Sequence, residues 1–335
     1  MHSQNKIARH CALTLLFSYA EMLLPRIVPF FRLGLSNAVI LMAFDLTLPS
    51  FFLLCVLKAV TSSLMAGTLF SPFFIISISQ SLLSGIFMYA LFYGNSLFSK
   101  KVFSRYGISV LGSALSGLVQ IALSSLYLGH GTWKLLGPIL IFNTISGLVT
   151  AFLAEYLMDD NSGEELSLSP QSDSASENDS HICEKSGRLS PSGIIFLAMI
   201  FSASVSVFFI KNLFILGGFF ILSLVLQKIC GRKIMTLPHV FLWLFIFISS
   251  VLVPNGKVLF KVSFLSITEG ALLLSLQKSL VLSTVSALSQ CATAVKLPEN
   301  TLLGQSLAYY RKLLENFRDS KGNIFQRLKK TVKTS

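Results

Sequence analysis

The sequence predicts an all-α integral membrane protein, and three observations carry that prediction. Its 335 residues are 53% hydrophobic and only 13% charged, with a mean hydropathy of +0.71. That is more apolar surface than the interior of a water-soluble fold of this size holds. Apolar runs recur along the chain at the roughly 17–25 residues needed to cross a hydrocarbon core. Finally, eight of the fifteen acidic residues lie between Asp159 and Glu184, so the charge gathers in one segment between two apolar halves.

The first half, residues 1–157, accommodates six spans, at 7–24, 33–48, 50–68, 73–93, 107–128 and 134–157. Lys6 and Arg9 before the first run imitate a signal peptide, but Glu21 and Pro25 stand where small cleavage-site residues belong, so the run reads as a retained span. Residues 158–192 carry Ser, Asp, Glu and Asn in place of apolar runs and read as a disordered acidic linker. The second membrane domain, 193–295, offers four runs at 193–210, 212–229, 237–253 and 259–290, the last longer than one crossing requires. In the tail, 296–335, Arg311, Lys312, Arg318, Arg327 and Lys330 surround Leu313, Leu314, Phe317 and Leu328, the spacing of a basic amphipathic helix on a membrane surface.

Basic residues in short loops favour the cytoplasm. With the N-terminus inside, Lys100, Lys101 and Arg105, then Lys185 and Arg188, then Lys228, Arg232 and Lys233, and then the tail all fall inside. The expectation is a multi-pass protein of a bacterial inner membrane, with ten spans and both termini cytoplasmic. Arg26 and Arg32 fall on the opposite side, where topology gains nothing from them. Pro25 and Pro29 restrict the backbone around them, so the two cations are displayed for an anionic substrate or snorkel to lipid headgroups.

The net charge of +12 is assigned to topology rather than to nucleic acid. The five cysteines form no CxxC pair, the five histidines are isolated, and no GxxxxGK[ST] occurs. The reading therefore contains no catalytic residues, no metal, no cofactor and no enzyme. Lys58 sits mid-span, where a charge costs at least about 2.5–3.5 kcal/mol unless it faces protein or water. It is a substrate contact or the partner of Glu21 or Glu155. Asn37, Gln120 and Asn143 are pocket donors and acceptors or interhelical amides. Ala8 and Ala12, four apart on one helix face, admit a closely packed neighbour.

Several of these residues carry a resemblance. Glu21, Pro25, Arg26, Pro29 and Arg32, followed by Leu33-Gly34-Leu35-Ser36-Asn37, then Lys58, Ser71-Pro72 and the stretch Phe103 to Ala114, resemble the Gx transporter family. That family is also catalogued as heptaprenyl diphosphate synthase component I and is similar to the substrate-binding S-components of energy-coupling-factor importers. The resemblance covers most of residues 7–157. It implies a six-helix bundle that binds a small nutrient without catalysis, and the residue chemistry above then makes Arg26, Arg32, Asn37, Lys58, Gln120 and Asn143 the expected contacts of an anionic one. It also implies ABC-type ATPase and transmembrane coupling subunits as partners, the latter meeting Ala8 and Ala12. The family's His-Asn pair is replaced by Ser116-Gly117, which alters one substrate contact. From 193 onward the layout weakly resembles the coupling subunit, with Thr268-Glu269-Gly270 opening a long helix, but the Ala-Arg-Gly motifs are missing. The alternative is a noncatalytic membrane component of polyprenyl diphosphate synthesis. Asp159-Asp160 is the only approach to the paired aspartate clusters that hold magnesium diphosphates. A third reading is a membrane scaffold without a ligand.

Overall fold

The computed structural model describes residues 2–23, 34–97, 103–158, 191–232, 236–251, 257–262, 265–295, 301–320 and 322–333. Arg26, Arg32, their flanking prolines and most of the acidic linker lie outside the described residues.

Among these residues the protein is built from twelve α-helices and one short hairpin. The first half contains α1 (His2–Leu23), α2 (Asn37–Met42), α3 (Leu48–Ala66), α4 (Pro72–Leu97), α5 (Arg105–Leu128) and α6 (Leu136–Met158), with a 3₁₀ turn at His130–Leu135. The second half contains α7 (Pro191–Val207), α8 (Leu213–Ile229) and α9 (Thr236–Val251). A hairpin of β1 (Val258–Val262) and β2 (Leu265–Thr268) leads into α10 (Glu269–Ala292). The tail forms α11 (Leu302–Asp319) and α12 (Ile324–Lys333).

Local chemistry explains many of the boundaries. Pro49 occupies the first turn of α3, where its missing N–H costs nothing. The Ser104 hydroxyl accepts from Gly107 N–H at 3.2 Å and caps α5. The Thr268 hydroxyl accepts from Ala271 N–H at 3.3 Å and caps α10, so the Thr-Glu-Gly start expected from the sequence is present. Each such cap contributes about 1 kcal/mol.

Among the described residues, five helices are long and apolar enough to cross a membrane, at 48–66, 72–95, 105–128, 131–158 and 269–292, and three shorter apolar ones lie in the second half. Large apolar side chains such as Ile141, Phe152, Phe214 and Ile221 are more than half exposed. A water-soluble surface does not tolerate so many of these, whereas lipid covers them. The protein is a multi-pass α-helical membrane protein.

Three expectations are corrected. The second span is a helix of only six residues, about 9 Å long, because the apolar run is broken at exposed Asp45. The run at 259–290 is not a span throughout, since its helix starts at Glu269. Its first part pairs as an antiparallel hairpin, with Val258 opposite Thr268 and Val262 opposite Leu265. The third correction concerns ten alternating spans, which would put the C-terminal ends of α3 and α10 on opposite faces, roughly 30 Å apart. Gly67, just beyond α3, instead packs directly on Gln290 near the end of α10.

The tail also differs from a free surface helix. Tyr310, Leu313, Phe317 and Leu328 are buried in one apolar core with Leu13, Leu16 and Phe17 of α1, and α11 packs along α1. Arg327 seals the end of α11, donating from Nε and Nη2 to the Phe317 carbonyl at 3.0 and 2.6 Å. Its guanidinium also lies 4.4 Å from the centre of the Phe317 ring. Ala8 and Ala12 are fully buried within the chain, on a helix whose neighbours include α3 and α11.

Candidate functional site

A cavity of about 830 Å³ opens between the helices, within the range of small-molecule sites. Its position follows from a turn that the sequence encodes residue by residue. Gly34 has φ +69°, a left-handed conformation that costs a side-chain-bearing residue about 1–2 kcal/mol. Its N–H donates to Glu21 Oε1 at 3.0 Å, and its carbonyl accepts from Asn37 N–H at 2.7 Å. A Cβ on Gly34 would stand 3.1 Å from Asn37 Nδ2. The glutamate and the Leu-Gly-Leu-Ser-Asn run therefore form one hydrogen-bonded unit that aims Asn37 inward. The Nζ of buried Lys58 donates to Asn37 Oδ1, and Glu21, Asn37 and Lys58 line the same cavity.

Lys58 thus reaches its mid-span position beside polar groups, which offsets the cost of carrying a charge there. Glu155, the other partner considered for Lys58, is exposed near the far end of α6, where its Oε2 accepts from the Tyr106 hydroxyl at 2.5 Å.

The opposite wall comes from α4, α5 and α6. Ser77, Gln80, Ser81 and Ser84 of α4 line the cavity, as do Ser113, Ser116, Gln120 and Ser124 of α5. Both sets follow helical spacing, so each is a polar stripe on an otherwise apolar helix. Gln80 Nε2 donates to Gln120 Oε1 and to the Ser116 carbonyl, each at 3.2 Å, which fixes the Gln120 amide. Asn143 of α6 is 7% exposed, and its Nδ2 is a buried donor without a hydrogen-bond partner. Leaving such a donor unsatisfied costs about 1–3 kcal/mol, and a bound solute would recover that energy.

Gly117 makes room for this amide, since a Cβ there would lie 2.0 Å from Asn143 Nδ2. The Ser116-Gly117 departure from the expected His-Asn pair thus has a local counterpart. The space beside α5 is occupied by an amide from α6, and Ser116 itself faces the cavity.

Four of the sequence-derived contacts, Asn37, Lys58, Gln120 and Asn143, are brought together in one cavity. Arg26 and Arg32 lie outside the described residues. Sequence reasoning missed the α4 stripe, although serines and a glutamine at three- and four-residue spacing in an apolar run were a usable signal. It also missed every contributor from the second half, among them Arg232, His239, Ser286, Gln290 and Thr293. Among the described residues no three His, Cys, Asp or Glu side chains gather as metal ligands.

Comparison with known proteins places the two halves separately. No curated protein matches the chain, and no solved structure does. Residues 190–294 match the family model described as Domain of unknown function (DUF8519). Residues 11–157, which carry the Gly34 turn, Lys58 and Asn143, match the family model described as Heptaprenyl diphosphate synthase component I.

Proposed function

We propose that the chain is a noncatalytic, substrate-binding membrane subunit of an energy-coupling-factor-type importer for a small anionic nutrient. The observation that carries this reading is the convergence of Asn37, Lys58, Gln120 and Asn143 on one cavity of about 830 Å³ inside an apolar helical bundle. Polar side chains at membrane depth are costly, and a bound, water-soluble solute gives them a purpose that helix packing does not. In this reading Arg26 and Arg32, which lie outside the described residues, attract the anion, and the N-terminus faces the cytoplasm of a bacterial inner membrane. Energy comes from partner ATPases. Ala8 and Ala12 are buried by the chain itself, and in this reading the coupling contact is internal to the chain, between α1 and the helices packed on it.

The family description favours a second reading, a membrane component that assists a soluble prenyl diphosphate synthase. Native mass spectrometry of the complex released intact from detergent separates the two. A bound water-soluble metabolite with ATPase subunits supports import. A prenyl synthase partner, with no metabolite, refutes it.

A further inference from the structure

Residues 190–294, whose family is described only as a domain of unknown function, form part of the cavity wall. Arg232 follows the C-terminal end of α8 and lines the cavity, as do Ser286, Gln290 and Thr293 from the last two turns of α10 and the residues just beyond it. These groups are held in place rather than loosely apposed. Gln227 Nε2 donates to Gln290 Oε1 at 2.6 Å, and Arg232 Nη2 donates to the Thr293 carbonyl. The seam with the first half is equally close. Phe70 N–H donates to Ser289 Oγ at 2.9 Å. A Cβ on Gly67 would stand 2.4 Å from Gln290 Cγ, so the backbone at Gly67, with φ +66°, seats directly on this glutamine.

The charges in the shared space are unequal. Among the described lining residues, Lys58 enters from the first half and Arg232 from the second, against the single carboxylate of Glu21, one oxygen of which already accepts from Gly34. A guanidinium has five N–H donors in a planar fork that matches a carboxylate or phosphate, and the Thr293 bond engages one nitrogen of the fork. We infer that the site is bipartite. In this arrangement the second domain, through Arg232 supported by α10, recognises the oxyanion group of a small polar solute whose remainder contacts Asn37, Lys58 and Asn143. The inference rests on the binding role proposed above and extends it, because it assigns ligand recognition to a region otherwise placed only in coupling or anchoring.

The test needs no knowledge of the natural solute. The full chain in lipid nanodiscs, with Cys183 and Cys230 replaced by Ser and the buried Cys11, Cys55 and Cys291 left in place, carries one accessible reporter, either Ser286→Cys or Ser116→Cys. Two methanethiosulfonate probes, one bearing a sulfonate and one a trimethylammonium, are compared by their rates of reaction. With each rate referred to that probe's rate with a free thiol, the sulfonate probe is expected to be favoured at both positions. Arg232→Gln should lower the rate ratio at Ser286→Cys at least about threefold through loss of electrostatic focusing, and Arg232→Lys should retain it. A ratio unmoved by Arg232→Gln but lowered by Lys58→Gln overturns the inference and leaves the binding reading standing. Failure of both probes to react at both positions overturns both.

Discussion

Replacing Gly117 with Ala tests the geometry of the Asn143 amide and gives a stability signature that is independent of any ligand. The added Cβ would sit 2.0 Å from Asn143 Nδ2 and 3.1 Å from its Cγ, so the amide must move by more than an ångström to restore van der Waals contact. Overpacking of this kind costs about 1–3 kcal/mol. Against it, Ala is favoured over Gly in a helix interior by about 1 kcal/mol. Gly117→Ala alone should therefore range from neutral to about 2 kcal/mol destabilised. In the Gly117→Ala/Asn143→Ala double variant the clash is gone and the helix preference remains, so it should be more stable than Gly117→Ala. Asn143→Ala alone should cost little, because its buried Nδ2 has no protein partner to lose. Thermal unfolding of all four proteins in the same detergent gives the coupling energy. Purely additive effects would refute the placement of Asn143 against Gly117.

Three further outcomes follow from the same structure. Lys58→Met leaves Asn37 Oδ1 without the donor it now has and should cost about 1–3 kcal/mol in stability, read as a lowered Tm. Gly67→Ala combines a left-handed φ with a Cβ 2.4 Å from Gln290 Cγ. It should loosen the seam between the halves, read as faster hydrogen exchange at 67–71 and 286–293 with α5 and α6 unchanged. Phe317→Ala removes a ring that is 1% exposed in the core shared with α1. The loss of about 3–5 kcal/mol should release the tail, so that limited proteolysis cuts at 301–333 while residues 34–158 stay intact.

What the sequence revealed and what it concealed both have physical causes. The helices α3 to α6 were legible because each is a long apolar run, and the helix starts at Ser104 and Thr268 were marked by side chains that cap. The second span was misread because hydropathy averages over a window, whereas the chain responds to single residues. Left-handed Gly34 and exposed Asp45 bracket a helix of six residues inside an apolar stretch. The hairpin before α10 was absorbed into a span because alternating Val, Phe and Ile raise hydropathy as effectively as helical residues do. Asn37, Lys58, Gln120 and Asn143 were legible as isolated polar groups in apolar surroundings, where their cost demands a reason. Arg232 was not, since a cation at a helix end also satisfies the loop rule that fixes topology. The packing of Gln290 on Gly67 and its bond from Gln227 bring that helix end to the cavity.

The central claim, that the shared cavity holds a small water-soluble solute, is tested most directly by extracting the protein under mild conditions. Every low-mass compound bound to the wild type, to Lys58→Met and to a Phe317→Ala control is then quantified by mass spectrometry. The account predicts one polar, anionic compound at near-equimolar amount in the wild type and in the control, reduced at least about tenfold in Lys58→Met, which is roughly 1.4 kcal/mol or more of binding energy. No compound enriched on the wild type, or equal amounts on wild type and Lys58→Met, would contradict it.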